Sequence, residues 1–94
     1  MKVEHQPSRQ RFVASLAGGE GELTYRQLNA QVLDLVHTSV EPALRGRGMG
    51  GALVRSAMEY ARGAGLKIVP TCSYVEHWLE SHPEYQDLVT TRPG

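Results

Sequence analysis

The sequence predicts an α/β fold in which an antiparallel meander leads into a β-α-β unit. Three observations carry this expectation. Short apolar stretches broken by turn residues follow one another from Arg11 to Val40, the pattern of hairpin-linked strands. From Gly50 to Ala61 the apolar spacing changes to i, i+3, i+4, i+7, i+8, i+11, one face of an amphipathic helix. A further apolar run, "LKIVPT", comes directly after that helix, and a helical crossover makes such a strand parallel to the one before it.

Taken in order, Met1 to Gln10 is polar and contains Pro7, which reads as an extended or frayed N-terminal arm. Residues 11–94 then form a single domain. In Arg11 to Leu16, Phe12, Ala14 and Leu16 share one face of a short strand. "AGGEGE" supplies glycines for a hairpin loop. Glu22 to Leu28 is the second strand, with Leu23 and Tyr25 on one side, and Asn29-Ala30 is a second tight turn. "VLDLVHTSV", Val32 to Val40, is the most β-like stretch. The helix exits at Gly63 and Gly65. "SYVE" has the form of a capping box, Ser73 capping while Glu76 bonds back. The helix it opens carries Val75, Trp78 and Leu79 as core residues and stops before Pro83. Pro83 opens one more short helix, "PEYQDLV".

The 94 residues suit one modest core, and 40% hydrophobic with 21% charged residues is ordinary for a globular chain. A formal net charge of +0 gives no electrostatic footprint for nucleic acid, so any anion site must be local. Cys72 is the single cysteine, which excludes an internal disulfide and fits a reducing compartment. The N-terminus has no apolar signal core, and no apolar run reaches membrane-spanning length. The expectation is a cytoplasmic protein with neither nucleic-acid nor membrane partner, monomeric or weakly homodimeric. His5, His77 and His82 form no zinc-ligand spacing with Cys72, so no metal is expected.

One stretch asks for chemistry. "RGRGMGGALV", Arg45 to Val54, puts glycines and two arginines at a helix start. Free amides and the positive dipole end there attract phosphate, and glycines let an anion approach the backbone. A plain turn needs fewer of these features. Gly46, Gly48 and Gly51 satisfy G-x-G-x-x-G. Yet "EPALR" separates them from the strand, a meander precedes them, and "LKIVPTC" ends without a carboxylate for a ribose. No G-K-[ST] closes the loop, which removes the P-loop reading.

"RGRGMG" matches the [Q/R]-x-x-G-x-[G/A] loop of the GNAT superfamily of acetyltransferases. The lead-in "HTSVEPALRGRGMGGAL", with Val40 and Pro42 in its V-x-P pattern, and the segment "PTCSYVEHWLESHPEY" resemble a compact branch of that family. The likeness runs from about Tyr25 to Tyr85. It implies a minimal GNAT-like fold with a splayed sheet and short C-terminal helices. It further implies that Arg45, Gly46, Arg47, Gly48, Met49 and Gly50 wrap the pyrophosphate of acetyl-coenzyme A. Val40 would pair its backbone with the pantetheine arm. The pair of helices that larger members insert after their first strand, and their closing hairpin, are missing. An open acceptor side follows.

The resemblance implies transfer of an acetyl group to a small-molecule or protein amine. A lysine-like amine, with a pKa of about 10.4, must first lose a proton. His37 lies beside the expected thioester position and titrates near neutrality as a residue type; otherwise it makes a structural hydrogen bond. Cys72 stands just before a helix, where thiolates are favoured. It either carries the acetyl group transiently, lines the site, or is a small buried hydrophobe. Tyr74 would give a proton to the leaving thiolate, as a tyrosine after this strand does in relatives. Glu41 reads as a solvated loop carboxylate. The rival functions are a non-catalytic acyl-coenzyme A-binding or regulatory module and, more remotely, a nucleotide-binding fragment that needs a partner.

Overall fold

The computed structural model describes residues 1–93; Gly94, the last residue of the expected domain, lies outside the described residues. Strands β1 (Lys2–Gln6), β2 (Arg11–Leu16), β3 (Gly19–Asn29), β4 (Val32–Val40) and β5 (Lys67–Val69) form one sheet in the order β1-β2-β3-β4-β5. The first four pair antiparallel, and β5 pairs parallel to β4 after the crossover helix α1 (Met49–Ala64). Helix α2 (Ser73–Glu80) and a 3-10 helix (Pro83–Leu88) complete the chain. The meander and the β-α-β unit are both present.

The expected arm is instead an edge strand. Lys2 pairs with Ser15 and Gln6 with Arg11. Its polar composition hides a period of two: Val3 and His5 take the inward positions, and the second is a histidine. The His5 ring stacks on Phe12, with centroids 4.2 Å apart, and meets Tyr60 of α1 edge-on at 4.3 Å. His5 Nε2 and the Tyr25 hydroxyl share a 2.6 Å hydrogen bond.

Turn positions also differ from expectation. Ala17 and Gly18 both have positive φ (50° and 82°), as a two-residue hairpin loop requires. Strand β3 therefore starts at Gly19 and takes in most of "AGGEGE". A Cβ at Gly21 would lie 2.6 Å from Met49 Sδ, so this glycine serves close packing and not the turn. The second turn is Ala30-Gln31; Asn29 pairs with Val32, and its side chain accepts the Gln31 amide at 2.8 Å. The capping box does not form: Cys72 is the N-cap of α2, and Ser73 is already helical. Helix α1 runs through Gly63 and ends at Gly65, whose φ of 70° lets its amide bond back to Ala61 and Arg62.

The core lies between the sheet and α1. Phe12, Ala14, Leu23, Tyr25, Leu33 and Leu35 meet the α1 face of Leu53, Val54, Ala57, Met58 and Ala61. Val75, Trp78 and Leu79 of α2 join this cluster, as expected. The C-terminal turn is bolted to α1. Buried Tyr85 donates its hydroxyl to Glu59 at 2.5 Å and accepts from Arg55 at 3.2 Å. Val89 then bridges Ile68 in parallel, adding a last contact to the β5 edge where a hairpin had been expected to be missing.

Two outcomes follow from this packing. Tyr85→Phe should lower unfolding stability by about 1–2 kcal/mol, because a buried hydroxyl bonded to a charged group is lost. Urea unfolding should show a lower midpoint with an unchanged slope. Burial holds the His5 imidazole below its ordinary value of 6.5. The unfolded chain then binds the proton more readily, so the stability His5 contributes is complete above that value and is lost as pH falls through the lower folded one. Stability of His5→Gln should decline less than wild type on acidification from neutral pH; parallel declines would contradict this.

Candidate functional site

The site begins where β4 and β5 separate. Their ladder covers Val32–Asp34 against Lys67–Val69, and the Cys72 amide adds a 2.9 Å bond to the Leu35 carbonyl. On the other edge of β4 the register slips: Tyr25 faces Leu35, but Thr24 faces His37. Val36 is thus the extra residue of a β-bulge. A bulge bends its strand and sharpens the twist, and this one falls two residues past the last β4–β5 pair.

The bulge also reverses the alternation of side chains. Thr38 lies opposite buried Leu23 and so shares the helix-facing side with Leu35 and Val40. His37, paired with Thr24, takes the other face and is exposed. A strict period of two from Leu33 and Leu35 would have turned His37 inward. The inward hydroxyl of Thr38 was therefore not singled out from sequence. The break in apolar alternation at "VHT" is the signal that could have found it.

After β4 the chain makes a 3-10 turn, Pro42–Leu44, and enters the glycine loop. Gly46 and Gly48 adopt φ of 83° and 81°, the left-handed region that favours glycine. No atom lies within 4 Å of where a Cβ would stand on either. Gly48 is the N-cap of α1 and offers no side-chain cap, and the first turn has no acidic residue. The first bond into the helix runs from Ala52 to the Gly48 carbonyl at 3.0 Å. The amides of Met49, Gly50 and Gly51 therefore present unpaired donors at a positive dipole end. Glu41 is less free than expected: it accepts the Glu20 amide at 3.3 Å and staples the β4 exit to the β2–β3 hairpin.

A cavity of about 600 Å³ fills the space between the end of β4 and the start of α1. His37, Val40, Arg45, Gly46, Gly48, Met49, Gly50 and Tyr74 all line it, joined by Thr38, Ser39 and Leu44. Two expected residues stand apart. Arg47, between the two left-handed glycines, is exposed and outside the lining. Cys72 is buried behind the wall, with its Sγ 3.4 Å from Thr38 Oγ1. Tyr74, 43% exposed, reaches from α2 to α1. A Cβ on Gly50 would stand 2.6 Å from its hydroxyl, so the glycine makes room for the ring. Among the described residues, no helix is long and apolar enough to cross a membrane.

Comparison with known proteins agrees with this architecture. The family model for GCN5-related N-acetyl-transferases matches residues 11–88. The chain is 33% identical over 95 residues to Protein NATD1 of Xenopus tropicalis, covering 99% of this chain and 87% of that protein. It is 32% identical to human Protein NATD1, covering 99% and 84% respectively. A solution structure of a GCN5-like protein from Staphylococcus aureus superposes with a TM-score of 0.73 at 29% identity, covering 98% of this chain and 90% of the other.

The Gly50–Tyr74 contact is testable without any ligand. Gly50→Ala adds a good helix former, so the thermal midpoint should hold or rise slightly. The added methyl should push the Tyr74 ring aside, seen as a shift of its aromatic NMR resonances. An unmoved Tyr74 in a folded variant would show that the ring does not rest on Gly50.

Proposed function

This chain belongs to the GCN5-related N-acetyltransferase family, and we propose that it binds acetyl-coenzyme A in the wedge between β4 and β5 and transfers the acetyl group to an amine. The observation that carries this is the uncapped start of α1. Two left-handed glycines with open space beside them lead into donors that no side chain occupies. That donor set fits a pyrophosphate, since backbone amides at a helix N-terminus hold phosphate oxygens. Gly48, Met49 and Gly50 would supply amides. Arg45, which lines the cavity, would add charge-assisted bonds. Val40 would pair its backbone with the pantetheine arm.

Acetyl-coenzyme A supplies an activated acyl group as its thioester. In the net reaction a nitrogen–carbon bond forms, the carbon–sulfur bond breaks, the amine loses a proton and the thiolate gains one. His37 is exposed at the cavity edge and would take the amine proton, directly or through water. Tyr74 would offer its hydroxyl to the departing sulfur. Cys72 is buried outside the lining and meets the lining residue Thr38, so positioning suits it better than carrying the acyl group. The acceptor is a small-molecule or protein amine, and nothing like an inserted helical pair lies between β1 and β2 to cover its approach.

One observation favours a second reading, that of a non-catalytic acyl-coenzyme A-binding module. The two side chains given proton-transfer roles here, His37 and Tyr74, are both exposed, and among the described residues neither is held by a hydrogen bond from a third group that would orient it. Turnover separates the two readings. A screen of amines and peptides with thiol detection should find an acceptor that accelerates coenzyme A release. Binding without acceleration by any acceptor would favour the module.

Ligand preference can be read from stability. A ligand at about a hundred times its dissociation constant adds roughly 2.7 kcal/mol. In a domain this small that raises the melting midpoint by roughly 10 °C or more. Acetyl-coenzyme A should do this, while NAD and ATP at equal concentration should shift it little. Gly48→Val should abolish the shift, because a β-branched residue resists left-handed φ and the loop would unwind from its cradle. Gly48→Asn, which tolerates that region, should retain part of it. A larger shift with NAD, or an undiminished shift in folded Gly48→Val, would overturn the proposal.

A further inference from the structure

Asp34 is a carboxylate in the middle of β4 that is only 1% exposed, and neither the cavity lining nor the phosphate cradle uses it. Burying a charge is unfavourable unless partners replace its hydration. Its partners come from two separate segments. Thr71 Oγ1 donates to one carboxylate oxygen from the segment leaving β5. Arg92 Nη2 donates to the other at 2.6 Å from the C-terminal tail. Asp34 faces Val69 in the last pair of the β4–β5 ladder, and the next residue, Leu35, accepts the Cys72 amide. The bulge at Val36 follows at once. The carboxylate therefore sits at the vertex from which the two strands diverge. Thr71, which it holds, immediately precedes Cys72.

We propose that Asp34 is a positioning residue whose clasp on Thr71, steadied by Arg92, sets the width of the wedge and the placement of Cys72. This deepens the acetyltransferase reading and rests on it wherever the wedge is taken as the thioester site. A polar pair is suited to this task. The Thr71 hydroxyl must meet a defined oxygen, which fixes where β5 departs, whereas apolar contact would allow sliding. Arg92 offsets the buried charge while its own side chain remains 61% exposed, and it does not line the cavity.

Cys72 is the single cysteine of the chain, so its alkylation by iodoacetamide reports on the vertex without any cofactor. In the folded full-length chain, Thr71→Val and Arg92→Ala should raise the alkylation rate about threefold or more, since access controls thiol reactivity. Thr71→Ser keeps the hydroxyl and should restore the wild-type rate. Tyr85→Phe loosens the C-terminal turn away from the vertex and should leave the rate unchanged. Thermal melts confirm that each variant is folded. Equal rates in Thr71→Val and wild type, or acceleration that follows the melting midpoint with Tyr85→Phe included, would overturn the proposal. In a chain that binds coenzyme A, Thr71→Val should weaken that binding and Thr71→Ser should not; unchanged affinity in Thr71→Val overturns the control of wedge width. Failure of the wild type to bind coenzyme A removes the acetyltransferase reading, and the order of alkylation rates still decides the clasp.

Discussion

Everything about the site depends on β4 parting from β5 after three paired residues. Two parallel strands gain from every further rung, and β4 runs on to Val40, six residues past the last pair. The bulge at Val36, in the β3–β4 ladder, lies two residues past that last pair. It bends β4, exposes its edge, and rotates Thr38 and Val40 toward the helix. The uncapped start of α1 then closes the far end of the gap. The cavity of about 600 Å³ lies beyond the last β4–β5 pair, lined by the end of β4, the glycine loop and Tyr74.

The two halves of this cavity differ in kind. The end near α1 is made of backbone: left-handed glycines and free amides with no acid in the first turn to compete for them. The helix end gives this part of the surface a local positive field in a chain of zero net charge. The deeper end is made of side chains, and there the protein commits less. His37 is exposed, and Cys72 is held behind Thr38. The backbone end is defined by the helix start, and the side-chain end leaves its accessible groups without a fixed partner among the described residues.

A sheet opened on one edge must be closed elsewhere. The chain does so after α2, where Tyr85 is fixed to Glu59 and Arg55, Arg62 forks onto Asp87, and Val89 lies beside Ile68. The Arg62–Asp87 pair is exposed and contributes little by itself. Its place is to hold the turn that brings Tyr85 into the core. At the opposite edge, His5 packs β1 onto Phe12 and Tyr60, so the mostly polar N-terminal segment becomes part of the domain.

By itself the sequence determined the meander, the crossover helix and the glycine loop, because each rests on local signals. Positions such as Gly48 and Gly65 announce left-handed backbone, and the spacing from Gly50 to Ala61 announces a helical face. It did not reveal β1, where beside Val3 the other inward residue is a histidine that Phe12, Tyr25 and Tyr60 make into a core contact. The capping box was legible in "SYVE" but did not form, since the Leu35 carbonyl had already fixed the Cys72 amide and set the helix start. Nor could alternation decide between His37 and Thr38. A bulge is one unpaired residue between strands far apart in the chain, and its position depends on which residue of β3 meets which residue of β4. Register of that kind is a property of the assembled sheet, and it alone decided which side chains face the wedge.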